Sequence, residues 1–196
     1  MVRFLALPIL VVSSLPAFAQ STEFSLNFGQ SVFRNNRLTA KDFTTFNYFV
    51  DDGFRTAFRM TFNTRRFIGH EVGYSYNRSK LRYEEAGLSE KVSMTTHQGM
   101  YSFLLYPTPE GFPVRPFVAG GGHFTTFYPP GTSVGFGNGV TKFGLNYGAG
   151  LKVKVAPIWG VRFDVRNYAV PKPFDFPGAS GWLNQIEVSA GISFLL

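Results

Sequence analysis

The chain has 196 residues and no cysteine, with 17% aromatic and 16% charged residues and a mean hydropathy of +0.00. An apolar helical membrane bundle would raise the hydropathy well above zero, and a disordered chain would hold far fewer aromatics, so both are excluded. Without cysteine there is no disulfide framework, thiolate metal centre, thiol nucleophile or cysteine lipid anchor. The net charge of +7 and pI near 9.8 acquire meaning only once the charges are located.

Residues 1–19 read as a secretory signal peptide. Arg3 supplies the positive start, residues 4–12 the apolar stretch, and Ala17-Phe18-Ala19 the small-x-small cleavage rule. The expected cut lies between Ala19 and Gln20, leaving residues 20–196 as one domain. Losing 19 of the 196 residues, Arg3 among them, leaves 177 residues and a charge of +6. Export argues against nucleic acid as a partner.

The remaining chain alternates with period two. Phe24, Leu26 and Phe28 alternate with Ser25, Asn27 and Gly29. Phe54, Phe58, Met60 and Phe62 alternate with Arg55, Ala57, Arg59, Thr61 and Asn63. Ile68, Val72, Tyr74 and Tyr76 alternate with Gly69, Glu71, Gly73, Ser75 and Asn77. Two less regular strands are expected near 92–106 and 114–127, the second placing Phe117, Ala119, Gly121 and His123 on one face. Phe143 to Val153 alternates with Gly144, Asn146, Gly148, Gly150 and Lys152. Trp159, Val161, Phe163 and Val165 alternate with Gly160, Arg162, Asp164 and Arg166. Ile186 to Leu196 alternates with Gln185, Glu187, Ser189, Gly191 and Ser193. These are eight strands in all, and the one from Phe143 to Val153 has the length, about 9–11 residues, that crosses a bilayer.

The connections alternate in length. Residues 63–67, 107–113 and 154–157 are short; 34–52, 79–91, 128–139 and 169–182 are long. Short periplasmic turns and long external loops characterise outer-membrane barrels, with both termini on the periplasmic side. The expected fold is all-β: an eight-stranded antiparallel up-and-down transmembrane β-barrel. An Arg or Lys facing lipid at mid-bilayer costs about 2–4 kcal/mol. Arg55, Arg59, Glu71, Lys152, Arg162, Asp164, Arg166 and Glu187 are therefore expected inside. Tyr76, Tyr106, Trp159, Tyr168 and Trp182 fall near strand ends, where interfacial girdles lie. The period alone also admits a soluble lipid carrier with the two faces exchanged.

The chain ends in Ser189-Ala190-Gly191-Ile192-Ser193-Phe194-Leu195-Leu196. Ser189, Gly191, Phe194 and Leu196 resemble the C-terminal assembly signal of bacterial outer-membrane proteins, with Leu196 where Phe is usual. The segments Pro116-Phe117-Val118-Ala119-Gly120-Gly121-Gly122 and Asn146-Tyr147-Gly148-Ala149-Gly150 are similar to Gly-rich strands of the small outer-membrane barrel family typified by OmpA and OmpX. The resemblance spans residues 22–196. It implies location in the bacterial outer membrane, contact with its lipids and lipopolysaccharide, and delivery by the barrel-assembly machinery.

An eight-stranded barrel is just wide enough for side chains to fill it. A charge network of Arg59, Glu71, Arg162, Asp164, Arg166 and Glu187 is expected to do so, since buried charges require partners. A three-residue turn after Asn63 would set Arg59 opposite Glu71, and a turn centred near Ala156 would set Gly150 beside Arg162 and Gly148 beside Asp164. The histidines His70, His97 and His123 lack metal-ligand spacing, and no phosphate loop occurs. His123 and Thr125 share a face and faintly resemble the His-x-Ser of lipid A deacylase barrels, without an orienting carboxylate. No cofactor, metal or catalytic residue is expected, and the barrel is expected to be monomeric. The roles left open are a structural or loop-presenting barrel, a surface adhesion or defence factor, and a lipid-modifying enzyme of the outer leaflet. Lys80 and Arg82 are placed to meet lipopolysaccharide phosphates, and the aromatic segment 35–52 either binds a partner or continues the strands.

Overall fold

The period-two segments form eight antiparallel strands: β1 (Ser21–Arg34), β2 (Asn47–Arg65), β3 (Ile68–Glu85), β4 (Leu88–Leu105), β5 (Val114–Tyr128), β6 (Val140–Lys154), β7 (Trp159–Pro171) and β8 (Trp182–Leu195). Each pairs with its sequence neighbours, and β8 returns to β1, closing a barrel. Closure leaves no sheet edge unpaired. At the seam, Thr22 N–H donates to Leu196 O at 3.2 Å and Leu196 N–H to Thr22 O at 2.8 Å. The structure, a computed structural model, describes residues 21–39, 47–85, 88–129, 139–174 and 180–196. The expected signal peptide, with Ala19 and Gln20, lies outside the described residues.

The two faces have opposite polarity. Arg55, Arg59, Glu71, Arg162, Asp164, Arg166 and Glu187 are all buried, while Phe58, Tyr74, Phe143, Leu145, Phe163, Val165 and Ile192 stand exposed on the outer wall. A soluble carrier would have the reverse arrangement. This exposed apolar belt is far larger than the patches water-soluble monomers tolerate, and it suits a hydrocarbon surround. Val165, 54% exposed, lies mid-strand opposite Val188. Val165→Arg is expected to cost about 2–4 kcal/mol in denaturant titrations of the barrel in lipid vesicles. Its neighbour Arg166 avoids that cost by facing inward.

Trp159 and Trp182 stand exposed near strand ends, as girdle residues should. Tyr106 and Tyr168 do not: both are buried inside. Strand parity explains the correction, because Tyr168 shares the face of Arg162, Asp164 and Arg166. Tyr106 likewise follows Met100, Ser102 and Leu104 inward.

Both expected registers are off by two residues. Arg59 pairs with Gly73 and Glu71 with Thr61. The chain turns at Arg66–Phe67 after an irregularity between Asn63 and Arg65, later than expected. Similarly, Gly150 lies beside Asp164 and Gly148 beside Arg166. A two-residue slip changes neighbours but preserves faces, so the inward set is unaffected.

At the opposite end, the expected long connection 79–91 is mostly strand. The β3–β4 ladder continues unbroken to Glu85 and Leu88. Above the apolar belt a strand has water on its outer face, so charges can follow without ending the ladder. Tyr48 and Phe49 of the aromatic segment belong to β2, whereas Lys41, Phe43 and Phe46 lie outside the described residues.

The interior is not polar throughout. At the long-loop end Phe33, Leu38, Val50, Met94, Phe127, Val170 and Leu183 form a buried apolar layer. Leu104, Tyr106, Phe117 and Ala119 form a smaller one toward the short-turn end. The charged network lies between them.

Candidate functional site

Four guanidiniums and three carboxylates meet at mid-barrel. β7 carries Arg162, Asp164 and Arg166 at spacing two, so all three point into the lumen. Asp164 accepts from Arg162 Nε at 2.7 Å and Nη2 at 3.0 Å, from Arg166 Nε at 2.9 Å and from Arg59 Nη1 at 3.3 Å. Glu71, from β3, faces Arg162 Nη1 at 2.6 Å and Arg166 Nη2 at 2.7 Å, with Arg59 Nε farther off at 3.8 Å. Glu187, from β8, accepts from Arg59 Nη2 at 2.6 Å and from the Tyr168 hydroxyl at 2.9 Å.

The six residues expected from sequence thus lie in one connected set. Arg59 bonds chiefly to Glu187 and Asp164 rather than to Glu71. Its guanidinium reaches across the lumen, and the partners of a cross-barrel contact do not follow from a hairpin register.

Sequence reasoning placed Arg55 inside but left it out of this network. Its Nε lies 3.1 Å from Glu187 Oε2, and its guanidinium stacks 4.4 Å from the Tyr168 ring. Glu23 was missed, although it shares the face of Ser25 and Asn27. It accepts from Lys152 Nζ at 2.6 Å. Lys152 also donates to the Tyr106 hydroxyl at 3.1 Å. Arg115 was missed too, although it shares a face with Phe117 and Ala119.

Small residues make room for these chains. A Cβ on Gly148 would lie 2.8 Å from Arg166 Cγ, and one on Gly150 would lie 2.4 Å from the Phe117 ring.

The histidines separate. His123 is buried with its ring edge-on to Tyr168 at 5.3 Å, and Thr125 faces inward beside it in the same strand. His70 and His97 lie on the outer face: His70 Nδ1 meets the Tyr101 hydroxyl at 2.6 Å, and His97 packs among Tyr74, Tyr76 and Tyr128. Among the described residues no group of three metal-ligating side chains converges.

Above the apolar belt, Arg78 and Lys80 are exposed on the outer face of β3. Arg82 Nε donates to Asp51 Oδ1 at 3.0 Å, and Lys91 Nζ approaches Asp51 Oδ2 at 3.0 Å. Partial burial pushes the Asp51 carboxyl up, but its hydrogen bonds to Lys91 and Arg82 outweigh this and hold it below its ordinary range.

The assembly-signal residues sit at the seam. Ser189 and Gly191 face inward and pair with Gly29 and Asn27 of β1. Phe194 faces outward and packs its ring against Trp159 at 3.8 Å. Leu196 is exposed at the strand end.

Comparison with known proteins agrees with this architecture. A family model described as "Outer membrane protein beta-barrel domain" matches residues 4–194. The outer membrane protein OprG of Pseudomonas aeruginosa superposes with a TM-score of 0.67 at 12% identity, covering 91% of this chain and 96% of that one. The N-terminal β-barrel domain of OprF from the same organism gives 0.55 at 13% identity, covering 91% and 98%. Neisserial surface protein A gives 0.53 at 12% identity, covering 89% and 95%. At such identities the likeness is one of fold. No curated protein sequence matches the chain. With an apolar outer wall, a charged lumen and a family match over nearly its whole length, the chain belongs to the outer-membrane protein β-barrel domain family of bacteria.

Proposed function

We propose that the protein is a closed structural barrel of the outer membrane that holds the β3–β4 hairpin above the surface. The observation that carries this reading is the filled lumen. Arg55, Arg59, Arg162, Arg166, Glu71 and Glu187 are among the largest fully buried side chains, and apolar layers stand above and below them. An ion would have to displace paired charges to pass. Planar-bilayer recordings of the purified barrel are expected to show no large, steady conductance. A large, steady conductance would overturn the closed reading.

In this reading the barrel does not act on lipid A. The inward orientation of His123 and Thr125 supports this, because a lipid-facing His-x-Ser arrangement needs the opposite face. Arg78 and Lys80, directly above the exposed Tyr74 and the part-buried Tyr76 on the outer face, support contact with lipopolysaccharide phosphates. The absence of a free sheet edge supports a monomer. In this reading the mature chain begins at Gln20 after signal-peptide removal, and the β-signal residues Ser189, Gly191, Phe194 and Leu196 are read by the barrel-assembly machinery.

A further inference from the structure

The barrel wall carries a notch of about 520 Å³ near the short-turn end, between the last residues of β4 and the first of β5. Its origin lies in the ladder. β4 pairs with β5 only as far as Leu105 and Val118, whereas β5 runs on to Val114 against β6. The next rungs would set Tyr106 against Phe117 and Pro107 against Pro116. Neither proline has an N–H to donate, so the pairing stops there. Tyr106 N–H donates instead to Phe67 O in the β2–β3 turn, at 2.9 Å.

The notch opens on the outer wall. Leu105 and Val118, 47% and 55% exposed, stand on its rim with Ala149 of β6. The Tyr106 and Phe117 rings, with centroids 6.0 Å apart, close its floor. Among the described residues no charged side chain lines it, and its one hydroxyl, that of Tyr106, accepts from Lys152 inside the barrel. The volume is that of a small-ligand site. Its place on the apolar belt sets hydrocarbon, not water, at its mouth. A cation stands beside it: Arg66 is exposed in the β2–β3 turn, its guanidinium 5.9 Å from the Phe67 ring. The hydrogen bond from Tyr106 to Phe67 holds that turn next to the notch. A basic side chain at a membrane surface attracts anionic lipid headgroups.

We infer that the notch seats one acyl chain of an anionic phospholipid of the periplasmic leaflet, with the headgroup phosphate held at Arg66. The choice of leaflet rests on the proposed orientation, with the β3–β4 hairpin above the outer surface. The apolar seat and the cation beside it do not, and neither depends on a closed lumen.

The test is photolabelling of the barrel in nanodiscs with a phosphatidylglycerol whose acyl chain carries a diazirine, followed by peptide mapping. Label is expected to concentrate on residues 105–107 and 116–118. Unlabelled phosphatidylglycerol is expected to compete about fivefold better than phosphatidylcholine, the worth of one basic residue at an anionic surface. Arg66→Gln is expected to remove that preference and leave the label in place. Ala149→Trp, or Val118→Trp if the first fails to fold, is expected to lower labelling of both segments severalfold with the heat-modifiable gel mobility retained. Label spread evenly around the belt would overturn the inference, as would unchanged labelling in a folded tryptophan variant. A dimer that Ala149→Trp dissociates would give the notch to a second copy of the chain and overturn it too. Equal competition by phosphatidylcholine, or an unchanged preference in Arg66→Gln, would overturn the role of Arg66. Lipid A competing better than phosphatidylglycerol would overturn the choice of a periplasmic phospholipid, and the label map would still show whether the seat exists.

Discussion

Asp164→Asn is expected to destabilise the barrel by about 3–5 kcal/mol, the cost of leaving buried charges without their partner. This carboxylate accepts hydrogen bonds from Arg59, Arg162 and Arg166, all with fully buried side chains. The amide keeps the shape but removes the charge and turns one acceptor into a donor aimed at guanidiniums. Four guanidiniums then face Glu71 and Glu187 alone. Urea titration followed by the fluorescence of Trp159 and Trp182, with heat-modifiable gel mobility as the second probe, measures the change. An unchanged midpoint would mean that the network tolerates a second unbalanced positive charge, and that charge pairing does not hold the lumen together.

Gly191→Ala is expected to cost about 3 kcal/mol, the upper range for forcing extra volume into a packed site. An ideal Cβ at this position would lie 2.3 Å from Leu26 O and 2.4 Å from Asn27 Oδ1. The first contact is backbone, so relief requires β1 and β8 to part at the seam where the barrel closes. The same glycine belongs to the assembly signal, and the two roles separate experimentally. In refolding from urea into detergent, with no assembly machinery present, the seam argument expects a lower yield and a lower unfolding midpoint. Wild-type behaviour in vitro with failed assembly in cells would assign Gly191 to recognition instead.

Legibility of the site differed residue by residue. Arg162, Asp164 and Arg166 could be placed inside because period two puts them on one face and lipid penalises charge on the other. The same parity points Tyr168 and Glu23 inward. Nearness to a strand end suggests a girdle position for Tyr168, but parity prevails, and Glu23 is a lone charge among Ser25 and Asn27 on its face. Arg115 is the second residue of β5, beside Pro116, where alternation is hardest to follow.

Taken alone, the sequence determined the number of strands, their antiparallel order and the inward face of Arg55, Arg59, Glu71, Lys152, Arg162, Asp164, Arg166 and Glu187. All of these depend on local period and on the cost of a charge in hydrocarbon, which act strand by strand. The tertiary structure decided which charges meet. Arg59 finds Asp164 and Glu187, 105 and 128 residues away, only because closure through β1 brings β7 and β8 within reach of β2 around a narrow lumen. It also decided the two-residue registers and the apolar layer above the network. A slip of two leaves every face unchanged, so no energetic signal in the alternation distinguishes one register from the next.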